Sequence, residues 1–280
     1  MPVLKVKESD LAKLKRQLLL GLPKSARVVD IITNVQSEKL EANLYLDKWP
    51  DFSAVVAQLI WPRISEVADI SAYTTSSKAL VSVLTEGKLI AWGNRQYIKG
   101  IESEHADYFL RNIDCDAAVK VKEFNTLSCV YVGTPYHFTR SEEPPKIECP
   151  ESYFIGKLQP HHFKIVSDSW PYYHDMPHRE HYIKYSIEHY ESIGLFTMEF
   201  PTIPISFMVQ FPDGQMGFGY TAPEYRGKGL YSIVKNEMCR ALLLAGYSSP
   251  NYDTSETAPP PSPESMFEFC GYRIKSFVLK

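Results

Sequence analysis

Gly214-Gln215-Met216-Gly217-Phe218-Gly219-Tyr220-Thr221-Ala222-Pro223-Glu224-Tyr225-Arg226-Gly227-Lys228-Gly229-Leu230-Tyr231 is the stretch whose reading orders the rest of the chain. Met216, Phe218 and Tyr220 alternate with Gly217, Gly219 and Thr221, a period of two that predicts a strand. Pro223 ends it. Arg226-Gly227-Lys228-Gly229 is a basic, glycine-rich turn, and the sequence after it predicts a helix from Leu230 to Ala245. Glycines after a strand let backbone N–H groups come close to an anion, and the helix dipole favours negative charge there. A pyrophosphate suits such a place. The turn is not a P-loop, because G-x-x-x-x-G-K-[ST] is absent, and it is not the dinucleotide fingerprint G-x-G-x-x-G. Taken alone, it also fits an ordinary basic turn that caps a helix.

Arg-Gly-x-Gly after a strand is similar to the coenzyme A loop of the GNAT superfamily of N-acyltransferases. The superfamily pattern is Arg/Gln-x-x-Gly-x-Gly/Ala. Arg226 and Gly229 fit it, and Tyr231 stands where the last small residue would be.

At 280 residues the chain is long enough for two domains of ordinary size. Its 44% hydrophobic and 22% charged content suits a soluble globular protein with real cores. A net charge of −3 gives no reason to expect a nucleic-acid or membrane partner. The five cysteines are odd in number and form no C-x-x-C pair, so they read as buried thiols in a reducing compartment. No secretory signal is visible. The expectation is a mitochondrial or cytoplasmic protein that is not secreted and acts as a monomer.

Along the first half, Leu11, Leu14, Leu18 and Leu19 form one apolar stripe of a helix that Gly21 and Pro23 stop. Ala26–Thr33, Leu40–Leu46 and Ser53–Trp61 read as strands, with Asp47-Lys48-Trp49-Pro50-Asp51-Phe52 as the turn between the last two. Ser76–Thr85 and Glu104–Asn112 read as helices, and Lys120–Phe124 and Leu127–Gly133 as strands. This half shows no glycine-rich anion loop and no compact acid/base cluster. Thr139–Pro150, rich in proline and charge, is the linker. The expected division is 1–140, a linker at 141–151, and 152–280.

After the linker come a strand at Tyr153–Leu158, a helix near His161–Asp168, a helix over Glu180–Ile193 ending at Gly194, and strands at Leu195–Phe200 and Ile203–Gln210. Pro212-Asp213-Gly214 turns into the opening strand. Tyr247–Asp253 reads as a short strand, Glu264–Cys270 as a short helix, and the end as strand. The order is that of a GNAT domain and puts the Arg/Gly loop after its fourth strand. The fold class expected is α/β (α+β), as two tandem GNAT-like domains with mixed central sheets flanked by helices, the N-terminal one degenerate. His174, His178 and His181 are spaced like metal ligands, but no Cys or tight carboxylate set completes them, and no metal is expected.

Across nearly the whole length, the sequence resembles the glycine N-acyltransferase family. Asp47-Lys48-Trp49-Pro50-Asp51-Phe52 is similar to that family's D-K-W-P-D-F, Thr221-Ala222-Pro223-Glu224-Tyr225-Arg226 to its T-L-P-E-Y-R, and Leu158-x-Pro160-x-His162 with Trp170 to the start of its C-terminal domain. The resemblance implies an acyl-CoA:amino acid N-acyltransferase in which the amine of glycine or another small amino acid attacks the thioester of acyl-CoA directly. It implies that Tyr220, Thr221 and Ala222 pair with the pantetheine amides. It also implies that Arg226, Gly227, Lys228, Gly229, Leu230 and Tyr231 hold the pyrophosphate.

Two positions depart from the family. Its general base is a Glu directly after the turn glycine, and here that position is Gln215, whose amide accepts no proton at working pH. Asp213, Glu199, His181 and Asp253 are other candidate bases. Many GNAT enzymes also carry, in the last helix, a Tyr that protonates the leaving thiolate, and the matching position is Phe267. These departures leave open a CoA-binding relative impaired in catalysis, beside the acyltransferase and a GNAT acetyltransferase for another amine.

Overall fold

The computed structural model describes residues 3–61, 68–90, 96–113, 121–131, 148–170, 179–247, 250–255 and 267–279. Its elements are β1 (Leu4–Lys5), α1 (Leu11–Leu18), α2 (Ala26–Gln36), β2 (Glu41–Leu46), β3 (Ala54–Ile60), β4 (Ala68–Thr74), α3 (Ser77–Glu86), β5 (Gln96–Glu102), α4 (Ser103–Asn112) and β6 (Val121–Tyr131). They continue with β7 (Tyr153–Gly156), α5 (Phe163–Ser169), α6 (Arg179–His189), β8 (Ser192–Thr197), β9 (Pro204–Gln210), β10 (Met216–Thr221), α7 (Leu230–Leu244), β11 (Asn251–Ser255) and β12 (Phe267–Leu279). The architecture is mixed α/β, with two sheets flanked by helices.

Two compact units form, one from Met1–Val130 with Asp253–Lys280 and the other from Tyr131–Tyr252. The simple division at 152–280 therefore does not describe where the chain's last segment folds. The first unit holds a sheet in the order β1-β2-β3-β4-β5-β12-β6-β11. Strand β12 lies antiparallel to β5, with Ile274 opposite Glu102 and Leu279 opposite Gln96. It covers an edge of β5 that would otherwise expose unpaired N–H and C=O groups. Helices α3 and α4 bury Leu80, Val83, Leu84, Ala106 and Phe109 with Ala54, Val56, Ile70 and Ile98 of the sheet. The turn from Asp47 is structural: buried Asp47 accepts hydrogen bonds from Ser53 N at 2.8 Å and Ala54 N at 2.9 Å.

Three expectations fail here. Ala26–Thr33 is part of helix α2, not a strand. Val28, Val29, Ile31 and Ile32 are β-branched, but they are buried together with Ala26, Arg27, Asp30 and Asn34. A helix enclosed on most sides loses the polar face that would have marked its period. Helix α6 stops at His189, and Gly194 lies within β8, opposite Gly156 in the ladder, instead of capping a helix. At the C-terminus, Phe267–Leu279 is strand, so the helix expected over Glu264–Cys270 does not include Phe267–Cys270.

The second unit holds an antiparallel sheet in the order β10-β9-β8-β7. Helix α7 packs along β8, β9 and β10 and buries Leu230, Ile233, Val234, Met238 and Leu242. Its Cys239 Sγ lies 3.6 Å from Met216 Sδ on β10. Among the described residues, no helix is long and apolar enough to cross a membrane.

Candidate functional site

The site is built where β10 stops pairing regularly. Gly217 stands opposite Val209 and Tyr220 opposite Phe207, so three steps along β10 match two along β9. The extra residue makes a β-bulge, which bends the strand and turns backbone groups away from the ladder. At the bulge Phe218 has φ 50, a left-handed conformation that is costly for a bulky side chain. An aromatic cluster holds it there. The Phe218 ring lies 4.5 Å from Trp170 and 4.7 Å from Phe211, and Tyr182 closes the group at 6.2 Å. Arg179 stacks on Trp170 at 5.2 Å and donates to Ser167 O and Trp170 O. The resemblance of Trp170 thus has a physical meaning: it supports the bulge.

Beyond the bulge the strand is pinned again. Ala222 N donates to Ile205 O at 2.8 Å, and buried Ser206 donates through Oγ to Tyr220 O at 2.9 Å. Ser206 Oγ also lies 2.8 Å from Thr221 Oγ1. Tyr220 and Thr221 pair with β9, so any ligand amide must meet β10 from its other edge. The Ala222 N–H is already used within the fold, as is that of Arg226, which donates to Pro223 O.

The turn that follows has the shape expected of an anion cradle. Gly227 and Gly229 both have φ 73, and a Cβ at either would meet nothing within 4 Å. Gly229 is the N-cap of α7, and no side chain caps that helix. The first N–H groups of a helix have no partner inside it, so the start of α7 presents donors and the positive end of the dipole. Arg226 is exposed, donates through Nε to Thr221 O at 2.9 Å and lies 5.8 Å from the Tyr220 ring. Lys228 is exposed, 5.1 Å from the Tyr225 ring. Leu230 is buried beneath the turn, and Tyr231 is 40% exposed with its ring against Gly219.

Gln215 sits at the other end of β10. It is buried, and its Nε2 donates to Oδ1 of buried Asn251 at 2.9 Å, a contact within the second unit. Asn251 was not singled out from sequence, because a polar residue after a proline at a strand start carries no signal of its partner. The candidate bases scatter. Asp213 is buried near Tyr190, whose hydroxyl is pushed up by burial and further by Tyr185, Tyr182, Tyr247 and Asp213. Asp253 is ion-paired with Arg27 in the first unit. Glu199 is exposed on the β8–β9 hairpin, and His181 lies 6.3 Å from the Tyr185 ring on α6. His174 and His178 lie outside the described residues, and among the described residues no group of three potential ligands is placed to hold a metal ion.

A bulged strand, a glycine turn and an uncapped helix start on an antiparallel sheet are the arrangement of the GNAT fold. An X-ray structure of a Drosophila protein has this fold at TM-score 0.74 and 12% identity, covering 99% of this chain and 98% of that one. A GCN5-related N-acetyltransferase from Kribbella flavida matches at TM-score 0.52 and 8% identity over 95% of each chain. Residues 1–191 match the family model described as aralkyl acyl-CoA:amino acid N-acyltransferase, and the chain belongs to that family. Among its relatives are the glycine N-phenylacetyltransferase of Bos taurus, 26% identical over 89% of this chain and 88% of that one, and the bovine glycine N-acyltransferase, 23% identical over 85% and 84%. The glycine N-acyltransferase of Mus musculus is 24% identical over 88% and 86%.

Proposed function

We propose that this protein transfers an acyl group from a CoA thioester to the amine of glycine or another small amino acid by direct attack. The observation that carries this reading is the bulge at Gly217–Tyr220 followed by left-handed glycines at the uncapped start of α7. In this reading the diphosphate lies on the N–H groups of Gly227–Tyr231, with Arg226 and Lys228 as its cationic partners. The pantetheine arm runs along the open edge of β10 beside Tyr220 and Thr221. A backbone N–H turned out by the bulge meets the thioester oxygen as it becomes an oxyanion. The amine nitrogen bonds to the carbonyl carbon, the C–S bond breaks with its electrons going to sulfur, and the adduct's extra proton passes from nitrogen to water.

Gln215 supports a second reading, a CoA-binding relative slowed in catalysis. Its amide cannot take the amine's proton, and its Nε2 is committed to Asn251. Calorimetric titration with phenylacetyl-CoA tests the shared part of both. Binding that weakens at least tenfold in Arg226→Ala supports the site. Binding that is absent, or indifferent to Arg226, removes it.

A further inference from the structure

Strand β8 stops at Thr197, short of the Phe200 expected from sequence, and β9 starts at Pro204. The six residues between them, Met198-Glu199-Phe200-Pro201-Thr202-Ile203, form the tip of the β8–β9 hairpin. Such a tip is ordinarily polar. This one exposes Met198 at 61%, Phe200 at 54% and Ile203 at 53%. Of the eight large apolar side chains exposed among the described residues, three lie here, and a cluster of that kind marks a contact surface where single exposed residues do not. The tip is held in shape. Phe200 N donates to Thr197 Oγ1 at 2.9 Å, Met198 N to Ser152 O at 3.1 Å, and His162 Nε2 to Thr202 O at 3.1 Å. Between the tip and α5 lies a groove of about 400 Å³. Ile165, Ile203 and Pro204 give it apolar walls, and exposed His161 and Lys164 stand beside them.

The tip and the groove are complementary in charge. The tip carries one acid, exposed Glu199, among its apolar residues, and the groove carries basic groups beside its apolar walls. Lys164 also pairs with Asp168 at 2.7 Å, but both side chains are mostly exposed, so water screens that pair and Lys164 keeps its reach to another carboxylate. Within one copy the tip borders the groove through Ile203 and leaves it open. We propose that two copies of this chain pair through this hairpin. The tip of each sits in the groove of the other, with Phe200 against Ile165 and Glu199 against His161 and Lys164. The same contact is made twice about a two-fold axis, which closes the assembly at two copies. Pro201 has no N–H to offer at the tip, so the pairing is of side chains with a groove and adds no strand. A lipid surface fits less well, because entry of the apolar residues would carry Glu199 into the bilayer with them. A six-residue tip and its groove fall short of the roughly 20–30 residues a side of a stable complex, so the dimer is weak, with a dissociation constant on the order of 10 µM. This pairing does not depend on the acyl-CoA reading, and it differs from the monomer expected from sequence.

Sedimentation equilibrium of the full chain from about 1 to 200 µM tests the pairing. The weight-average mass should rise from that of one chain toward that of two. Phe200→Ser, at an exposed position outside the core, should weaken association by at least about tenfold and leave the unfolding midpoint unchanged. Lys164→Glu and Glu199→Lys should each weaken it. An equal mixture of these two single variants should associate as wild type does, because both contacts of the mixed pair again join opposite charges. The mass of one chain throughout that range, association that Phe200→Ser leaves unchanged, or no recovery in the mixture overturns the pairing. Co-sedimentation of wild type, but not of Phe200→Ser, with phosphatidylcholine–phosphatidylserine vesicles, while the protein alone keeps the mass of one chain, overturns it in favour of a lipid surface.

Discussion

Gln215 Nε2 donates to Asn251 Oδ1 across 2.9 Å, and both residues are buried, so the position where the family resemblance implies a carboxylate is a neutral link inside the second unit. Replacing Gln215 by Glu keeps the shape and adds a proton acceptor. Asn251 can turn its amide to donate to the new carboxylate, and burial raises the carboxyl's pKa toward the range of a working base. Turnover in Gln215→Glu should rise about tenfold or more, with a new acidic limb in the pH profile of kcat/KM. Its stability should fall by about 1–3 kcal/mol, because a buried charge is less well satisfied than the amide. A rate equal to or below wild type would show that this position takes no part in proton removal.

The turn glycines make a different prediction. A Cβ at Gly229 meets no atom within 4 Å, so Gly229→Ala costs only the left-handed backbone. That cost is about 1–2 kcal/mol, readable in urea unfolding. The methyl group would also project near the proposed anion cradle, so phenylacetyl-CoA affinity should fall several-fold. Loss of stability without loss of affinity would place the diphosphate elsewhere.

Asp47 tests the turn between β2 and β3 in the first unit. Asp47→Ala leaves the N–H groups of Ser53 and Ala54 without their acceptor and should cost about 3 kcal/mol. Asp47→Asn, which keeps an acceptor oxygen, should cost about 1 kcal/mol. Neither should alter the affinity for acyl-CoA by calorimetry, since the motif is scaffold.

His162 gives the pH dependence. Its Nδ1 accepts from Gln159 N at 2.9 Å, and its Nε2 lies 3.1 Å from Thr202 O. Burial lowers its pKa, the Thr202 carbonyl opposes that, and His161 adds to the lowering. The folded protein therefore holds this ring neutral where the unfolded chain, titrating near about 6.5, begins to bind a proton. The contribution is complete above about pH 6.5 and declines as pH falls toward the lowered folded value. Unfolding free energy should drop across that window, and His162→Gln should flatten the slope. An unchanged slope would contradict it.

These residues also show what was legible before the structure. The β10–turn–α7 unit was readable because its signals are local: alternation, a proline stop, two glycines and a helix start within one short stretch. Helix α2 was not, because burial on nearly every side removed the polar face that separates a helix from a strand, and Val28, Val29, Ile31 and Ile32 favour the strand reading. The return of β12 to β5 was not, because a strand's partner across a long separation leaves no mark in its own residues. The Gln215–Asn251 link and the Tyr231–Gly219 contact were hidden for the same reason. Each is a pair whose members look ordinary alone.

The measurement that bears most directly on the acyltransferase reading is thiol release from a panel of acyl-CoAs with glycine and other small amino acids, run on wild type and Gln215→Glu. Steady, amino-acid-dependent release by wild type, accelerated in Gln215→Glu, is the predicted result. Tight acyl-CoA binding with no amino-acid-dependent release from either protein would contradict it.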